Sequence, residues 1–321
     1  MSDKNVPCIE LRHVKKYFKT PKGDLHAVDD INVRIKKGTT LGVVGESGCG
    51  KSTLGRVALK LLPSTSGNIL FNGTDITNYS EREMIPLRKD MQLIFQDPYS
   101  SLNPRQSISE IVAEPLKIYR SCKDKSSLYE RVEELLDTVG LAKMYANSYP
   151  HELDGGRRQR AGIARAIAMN PDFIVCDEPV SALDVSIQAQ ILNLLMDLQD
   201  SQQLTYMFIT HDLSVVKHIS TDIMVMYLGQ CVEIASSREL FKNPAHPYTK
   251  ALLAAVPVPS LNGKNLFQSI IKGELTSPIE PPKGCRFVER CPYASDKCRG
   301  RDIPLREIAP GHHVACTLHE T

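Results

Sequence analysis

From residue 9 to residue 35 apolar positions alternate with polar ones: Ile9, Leu11 and Val14, then Val28, Ile31, Val33 and Ile35. A period of two predicts two strands of an antiparallel sheet. Next, Thr40-Leu41-Gly42-Val43-Val44 reads as a short buried strand and Thr53 to Leu62 as a helix. Ile69 to Gly73 predicts a strand and turn, and Met91 to Gln96 an apolar strand stopped by Pro98. Between residues 107 and 149 the period changes. Ile108, Ile111, Val112, Leu116, Leu128, Val132, Leu135, Leu136, Val139 and Leu141 recur at helical spacing, predicting a helical block inserted between two sheet segments. No heptad pattern there is long enough for a coiled coil. The strand pattern returns at Asp172–Pro179, followed by a helix from Ile187 to Leu198 and a strand at Thr205–Thr210. Ile223–Gln230 and Val232–Ile234 predict a closing hairpin.

Composition narrows this picture only modestly. The 321 residues suit about two domains, with 42% apolar and 24% charged residues. Lys and Arg number 39 and Asp and Glu 37, so 39 − 37 gives +2. That balance supplies no general attraction to nucleic acid or to an acidic membrane surface. No apolar run reaches transmembrane length, and Met1-Ser2-Asp3-Lys4-Asn5 lacks the secretory pattern of charge followed by an apolar run. The expected place is therefore the cytosol, with membrane attachment only through a partner.

The candidate chemistry centres on Gly45-Glu46-Ser47-Gly48-Cys49-Gly50-Lys51-Ser52, which fits G-x-x-x-x-G-K-[ST] between a predicted strand and a predicted helix. Glycines let successive backbone N–H groups face a polyphosphate, and the helix start adds partial positive charge. Lys51 has the reach for the β- and γ-phosphates, and the Ser52 hydroxyl is a Mg2+ ligand; Thr53 follows directly. Cys49, inside the loop, is a candidate for oxidation. Gln96, at a strand end, can ligate Mg2+ through its carbonyl or position water. Asp177 and Glu178 close another apolar strand, where ligands bind in α/β sheets. Asp177 is placed to hold Mg2+, and Glu178 to polarise an attacking water as general base. His211 follows a third strand, suited to a γ-phosphate or its water. Gly155-Gly156 opens a helix whose N–H groups can meet an anion. An aromatic at Lys15-Lys16-Tyr17-Phe18 can stack on adenine.

In this order, these stretches resemble the nucleotide-binding domain of ABC ATPases over about residues 9–255. The resemblance implies an α/β fold with a P-loop NTPase core, an antiparallel β subdomain and an inserted helical subdomain at about 98–160. A small Cys-rich C-terminal extension, 256–321, follows a nucleotide-binding domain at 1–255. It implies Phe18 as the adenine-stacking residue, with Tyr17 second, Gly45–Ser52 as Walker A and Gln96 as the Q-loop residue. Leu153–Arg157 becomes the signature, Asp177 and Glu178 the Walker B Asp and catalytic Glu, Ser181–Asp184 the D-loop and His211 the switch histidine. ATP and Mg2+ are the implied cofactors, with Mg2+ on Ser52, Gln96 and Asp177. Asp177–Gln190, Asn243–Leu253, Gly284–Phe287 and Arg290–Ala294 look like the oligopeptide/dipeptide importer ATPases, of the second ATPase subunit type. Nickel importers share that family. The implied partners are a second ABC ATPase subunit in a heterodimer, two membrane permease subunits and an extracytoplasmic substrate-binding protein. The implied place is the cytoplasmic face of the cell membrane.

One departure matters. The family signature is Leu-Ser-Gly-Gly-Gln, and here it reads Leu153-Asp154-Gly155-Gly156-Arg157. In the family's head-to-tail dimer the signature of one subunit caps ATP on the other. Asp154 would bring like charge toward phosphate, on the order of 4 kcal/mol at about 4 Å and an effective dielectric of about 20. Arg157 is expected to offset part of it. The site that this signature caps is thus expected to be impaired, and the site on this chain's own Walker A loop to hydrolyse.

Nine cysteines are present, and Cys285, Cys291, Cys298 and Cys316 form C-x5-C-x6-C-x17-C. That spacing is too wide for a common zinc finger, and four thiolates suit a 4Fe-4S cluster or Zn2+. The resemblance favours the cluster. His312, His313 and His319 are nearby substitute ligands. The segment has little apolar periodicity and is expected to need such a staple. The rival readings are a non-transport ABC ATPase acting on DNA or ribosomes, and a non-hydrolysing regulatory subunit. The first lacks its coiled coil or second ATPase half, and intact Glu178 and His211 oppose the second.

Overall fold

The computed structural model describes residues 6–255 and 276–320. The reading of residues 1–5 as lacking a secretory pattern, and the expected start of the extension at 256–275, lie outside the described residues.

In chain order, β1 (Ile9–Thr20) and β2 (Gly23–Ile35) form the expected antiparallel pair, with Ile9 opposite Ile35 and Leu11 opposite Val33. The alternating apolar residues from Ile9 to Ile35 are buried. Next come β3 (Thr40–Val44), buried along its whole length, and α1 (Lys51–Ala58). The helix stops four residues short of the expected Leu62. Lys60 takes a left-handed conformation, φ 54°, and its N–H donates to the Val57 carbonyl while that of Leu61 donates to Arg56. This Schellman closure ends the helix on a non-glycine residue, so its sequence signal is weak. β4 (Ser66–Phe71) pairs with β1, and β5 (Thr74–Asp75) with β4.

The one-turn α2 (Glu81–Met84) precedes β6 (Met91–Ile94). This strand ends two residues before Gln96, not at it as expected. The helical block then divides into α3 (Pro98–Ser101), α4 (Ile108–Ile118) and α5 (Lys125–Thr138). Ser107 with Glu110, and Asp124 with Ser127, form capping boxes that start α4 and α5. The predicted apolar positions Ile108, Ile111, Val112, Leu116, Val132, Leu135 and Leu136 are buried. α6 (Gly155–Ile167) begins at the Gly-Gly pair itself, β7 (Phe173–Asp177) pairs parallel with β6, and α7 (Val185–Gln202) is longer at both ends than expected. β8 (Thr205–Ile209), α8 (Leu213–Ile219), β9 (Asp222–Tyr227) and β10 (Gln230–Ser236) follow. β9 and β10 are the predicted hairpin, turned through Leu228 and Gly229 at φ 43° and 84°. α9 (Ser237–Lys242), α10 (Pro247–Ala254), β11 (Arg306–Ala309) and β12 (His312–Val314) complete the chain.

Two compact units result. Among the described residues, the first comprises 6–8, 36–39 and 78–207, with the parallel β6–β7 pair and helices α2 to α7. The second comprises, among the described residues, 9–35, 40–77, 208–255 and 276–320. It holds the antiparallel sheet β2-β1-β4-β5, and a set of strands in which β3 runs parallel to β9 while β10, β12 and β11 continue antiparallel. The C-terminal segment, expected to lack a core of its own, packs on this unit's core instead. Phe287 and Val314 are 1% exposed, and Phe287 sits with its ring 5.3 Å from those of both Tyr227 and Tyr248. The fully buried Glu233 of β10 ties the segment down. It accepts from the N–H groups of Ala245 and His246 at 2.8 Å and faces His312 Nε2 of β12 at 2.7 Å. Among the described residues no helix is long and apolar enough to cross a membrane.

Candidate functional site

The phosphate loop lies in the second unit, between β3 and α1. Gly45 and Gly50 have φ 154° and 102°, and a Cβ there would stand 2.1 Å from the Met226 carbonyl and 1.9 Å from that of Ala27. Only glycine meets both demands. α1 starts at Lys51 with no side-chain cap, so the positive end of the helix faces the loop. Lys51 is 5% exposed, and its Nζ donates to the carbonyls of Gly45 at 2.7 Å and Glu46 at 2.9 Å. The lysine thus sits folded on the loop it serves. Ser52 and Thr53 are half-buried, and Ser47 and Gly48 are exposed.

Glu46 is held at its carboxylate as well. Arg290 donates to Oε2 at 2.9 Å and to Oε1 at 3.0 Å, while the Glu46 N–H donates to Tyr248 Oη at 2.9 Å. The bond to Glu46 raises the Arg290 pKa. Cys49 is 3% exposed and burial raises its thiol pKa. Burial and the raised pKa both lower the share of thiolate, the form that oxidises most readily.

Also in this unit, Phe18 is exposed, with Lys16 Nζ 5.0 Å from its ring centroid. The Tyr17 ring is stacked on His26 at 3.8 Å and 14°, and its hydroxyl donates to Asp29. His211 is exposed just past β8 and adjoins Asp212, whose side chain caps α8 by accepting from the Ser214 N–H at 2.7 Å.

The first unit carries the other motifs. Asp177, 4% exposed, ends β7, and Glu178 follows at φ 46°, a left-handed conformation uncommon for a side-chain-bearing residue. Such outliers collect at functional sites. Gln96 Nε2 donates to Glu178 Oε2 at 3.1 Å, so these two predicted residues are brought together. Asp154, expected in the signature, is the N-cap of α6: its carboxylate accepts from the Arg157 N–H at 2.8 Å and pairs with the Arg157 guanidinium. Both side chains stay substantially exposed. Gly156 is required by space, since a Cβ would approach Ile187 Cγ2 of α7 to 2.7 Å, and one on Gly155 would meet Leu183 Cδ2 at 3.1 Å. Asp184, expected in the D-loop, caps α7 by accepting from the Ile187 N–H at 2.9 Å.

Cys285, Cys291, Cys298 and Cys316 line one pocket together with His246, Val288 and Thr317. Burial pushes the Cys285 thiol up to about 12 and raises those of Cys291 and Cys316. Among the described residues, no three His, Cys, Asp or Glu side chains form a group able to hold a metal ion. None of His312, His313 and His319 lines the pocket among the described residues; His312 is engaged with Glu233. The histidine that does line it, His246, lies about 40 residues before the first of these cysteines. His246 Nδ1 accepts from the Tyr248 N–H at 3.0 Å, which puts the ring proton on Nε2, and burial lowers its pKa to about 3. That Nε2 is buried and has no partner among the described residues. A buried donor of this kind calls for an acceptor in the pocket.

The chain matches the ABC transporter family over residues 28–181, and the oligopeptide/dipeptide transporter C-terminal region over 232–298. It is 51% identical over 322 residues to the oligopeptide transport ATP-binding protein AppF of Bacillus subtilis strain 168, covering 97% of each chain. It is 48% identical over 313 residues to OppF of the same strain, again covering 97% of each. Among solved structures, the dimeric post-hydrolysis state of the ATP-binding cassette MJ0796 bound to ADP and Pi matches with TM-score 0.67 and 30% identity, over 72% of this chain and 99% of that one. CbiO1 of Clostridium perfringens, part of the cbiONQ ABC transporter complex, matches with TM-score 0.66 and 27% identity, over 74% and 92%. With its phosphate loop, its strand-end Asp-Glu pair and relatedness along nearly its whole length, the chain belongs to the ABC transporter ATPases, in their oligopeptide/dipeptide branch.

Proposed function

We propose that this chain is the ATP-hydrolysing subunit of a membrane importer for oligopeptides or dipeptides. It works at the cytoplasmic face as a heterodimer with a second ABC ATPase, on two permease subunits supplied by an extracytoplasmic binding protein. The observation that carries this reading is the end-to-end kinship with oligopeptide transport ATP-binding proteins in a chain whose phosphate loop is intact.

Lys51 leaves its two loop carbonyls to meet the β- and γ-phosphates, while Phe18 stacks on adenine. Ser52, Gln96 and Asp177 offer the hydroxyl, amide and carboxylate oxygens that Mg2+ prefers. Held by these residues, Mg2+ would supply positive charge against the negative charge that develops on the phosphates. Glu178 takes a proton from the attacking water, oriented by the Gln96 amide, and His211 steadies the γ-phosphate. Asp154 of this chain's signature caps the partner's ATP poorly, even with Arg157 beside it, so the site on this chain's own loop does the hydrolysis. Proteoliposomes carrying the complete assembly are expected to accumulate a labelled oligopeptide only with ATP. Uptake unaffected by omission of this chain would defeat the reading.

The cysteine pocket is read as a 4Fe-4S site, with Zn2+ the alternative. Each cysteine of a cluster binds its own iron, so the thiols need not converge on a single point as zinc requires. The soft donor set and the orphaned His246 Nε2, which a sulfide or thiolate would satisfy, support the cluster. Anaerobically purified protein is expected to contain iron and acid-labile sulfide. Zinc without either would reverse the choice.

A further inference from the structure

A carboxylate inside a phosphate loop is electrostatically misplaced. Glu46 stands one residue into a loop whose task is to receive a polyanion, and its charge opposes that task unless it is turned away and paired. The pairing comes from Arg290, 244 residues further along the chain. Its guanidinium grips both carboxylate oxygens, a two-pronged geometry that fixes direction as well as charge. The two side chains are only 8% and 22% exposed, so solvent screens the pair weakly.

The same residue is held twice more. Tyr248 Oη takes the Glu46 N–H, and Lys51 Nζ takes the Glu46 carbonyl. Arg290 is itself anchored: NH1 also donates to Tyr227 Oη at 3.2 Å, and its guanidinium lies 5.8 Å from the Tyr227 ring and 6.0 Å from that of Phe287. Four residues earlier Arg286 donates to the Leu228 carbonyl and pairs with Asp29. The short run from Arg286 to Arg290 is therefore fastened at both ends within the second unit.

We propose that Arg290 is a positioning residue for ATP binding: by holding and neutralising Glu46 it keeps the phosphate loop receptive to the triphosphate. The inference rests on the reading of this loop as the ATP site, and it makes ATP affinity depend on the C-terminal segment.

The test is ATP·Mg affinity and steady-state hydrolysis for the full-length chain in its assembly, in wild type, Arg290→Met, and Arg290→Met combined with Glu46→Gln. Arg290→Met is expected to raise Kd and KM for ATP about tenfold with kcat within about twofold, as expected for loss of a charged hydrogen-bonded pair. Adding Glu46→Gln is expected to restore most of the affinity, because the carboxylate that Arg290 neutralised is gone. A purely structural role for Arg290 would give no such rescue. Unchanged affinity in a folded Arg290→Met protein, or a double variant as weak as the single one, would overturn the proposal. If Arg290→Met does not fold, Arg290→Lys takes its place, keeping the charge and losing the fork; a smaller loss reversed by Glu46→Gln is then expected, and no loss overturns it. Failure of the wild-type protein itself to bind ATP·Mg would instead strike the reading of the loop.

Discussion

Replacing Glu178 with glutamine is expected to lower ATP turnover by the assembled transporter at least about 100-fold while leaving ATP binding in place. General-base assistance is worth roughly 100- to 10,000-fold. The substitution removes the proton acceptor and little else: the glutamine carbonyl can still accept from Gln96, as Glu178 Oε2 now does at 3.1 Å. The phosphate loop, in the other compact unit, is untouched. The size of the loss also reports on the signature. If the site capped by Asp154 contributes little, one substitution in this chain suppresses nearly all turnover. ATPase assays on the assembled complex decide it, and activity at half of wild type or more would show that the second site hydrolyses on its own.

In the folded chain the acid at the expected signature is already paired. Asp154 is not simply an acid aimed at phosphate. It caps α6 through the Arg157 N–H and carries the Arg157 guanidinium with it. The two residues that depart from the expected signature therefore act as one unit, with the arginine paired to the aspartate. What the pair lacks is the serine hydroxyl as a donor to phosphate.

Much of the fold was legible because its signals are local. The alternation from Ile9 to Ile35 gave β1 and β2, and the 3.6-residue period gave α4 and α5. The phosphate loop and the Asp177-Glu178 pair could be read because each is a short run whose chemistry needs those residues adjacent. Element ends were harder. α1 closes on Lys60, where no glycine announces the stop, and β6 ends at Ile94 because strand pairing, not the apolar run, decides where the ladder finishes. Contacts between distant residues were not legible at all. Nothing near Glu46 in sequence foretells Arg290, nothing near the cysteines foretells His246, and nothing near Gly156 foretells the close approach of Ile187. The apolar residues of the C-terminal segment show no period because they fill gaps on an existing core, as Phe287 does between Tyr227 and Tyr248.

The most direct test of the whole account is a titration of the full-length chain with ATP·Mg, run beside Lys51→Ala. Lys51 is buried, is placed on the loop by two carbonyls at 2.7 and 2.9 Å, and is the loop's own cation for a triphosphate. Its hydrogen bonds to charged phosphates are worth about 3 kcal/mol together, or on the order of 100-fold in Kd. The account expects saturable Mg2+-dependent binding by wild type and a loss of that size in Lys51→Ala, with the thermal unfolding temperature without nucleotide little changed. Wild-type protein that binds no ATP in the presence of Mg2+, or binds it equally well without the lysine, would contradict the account.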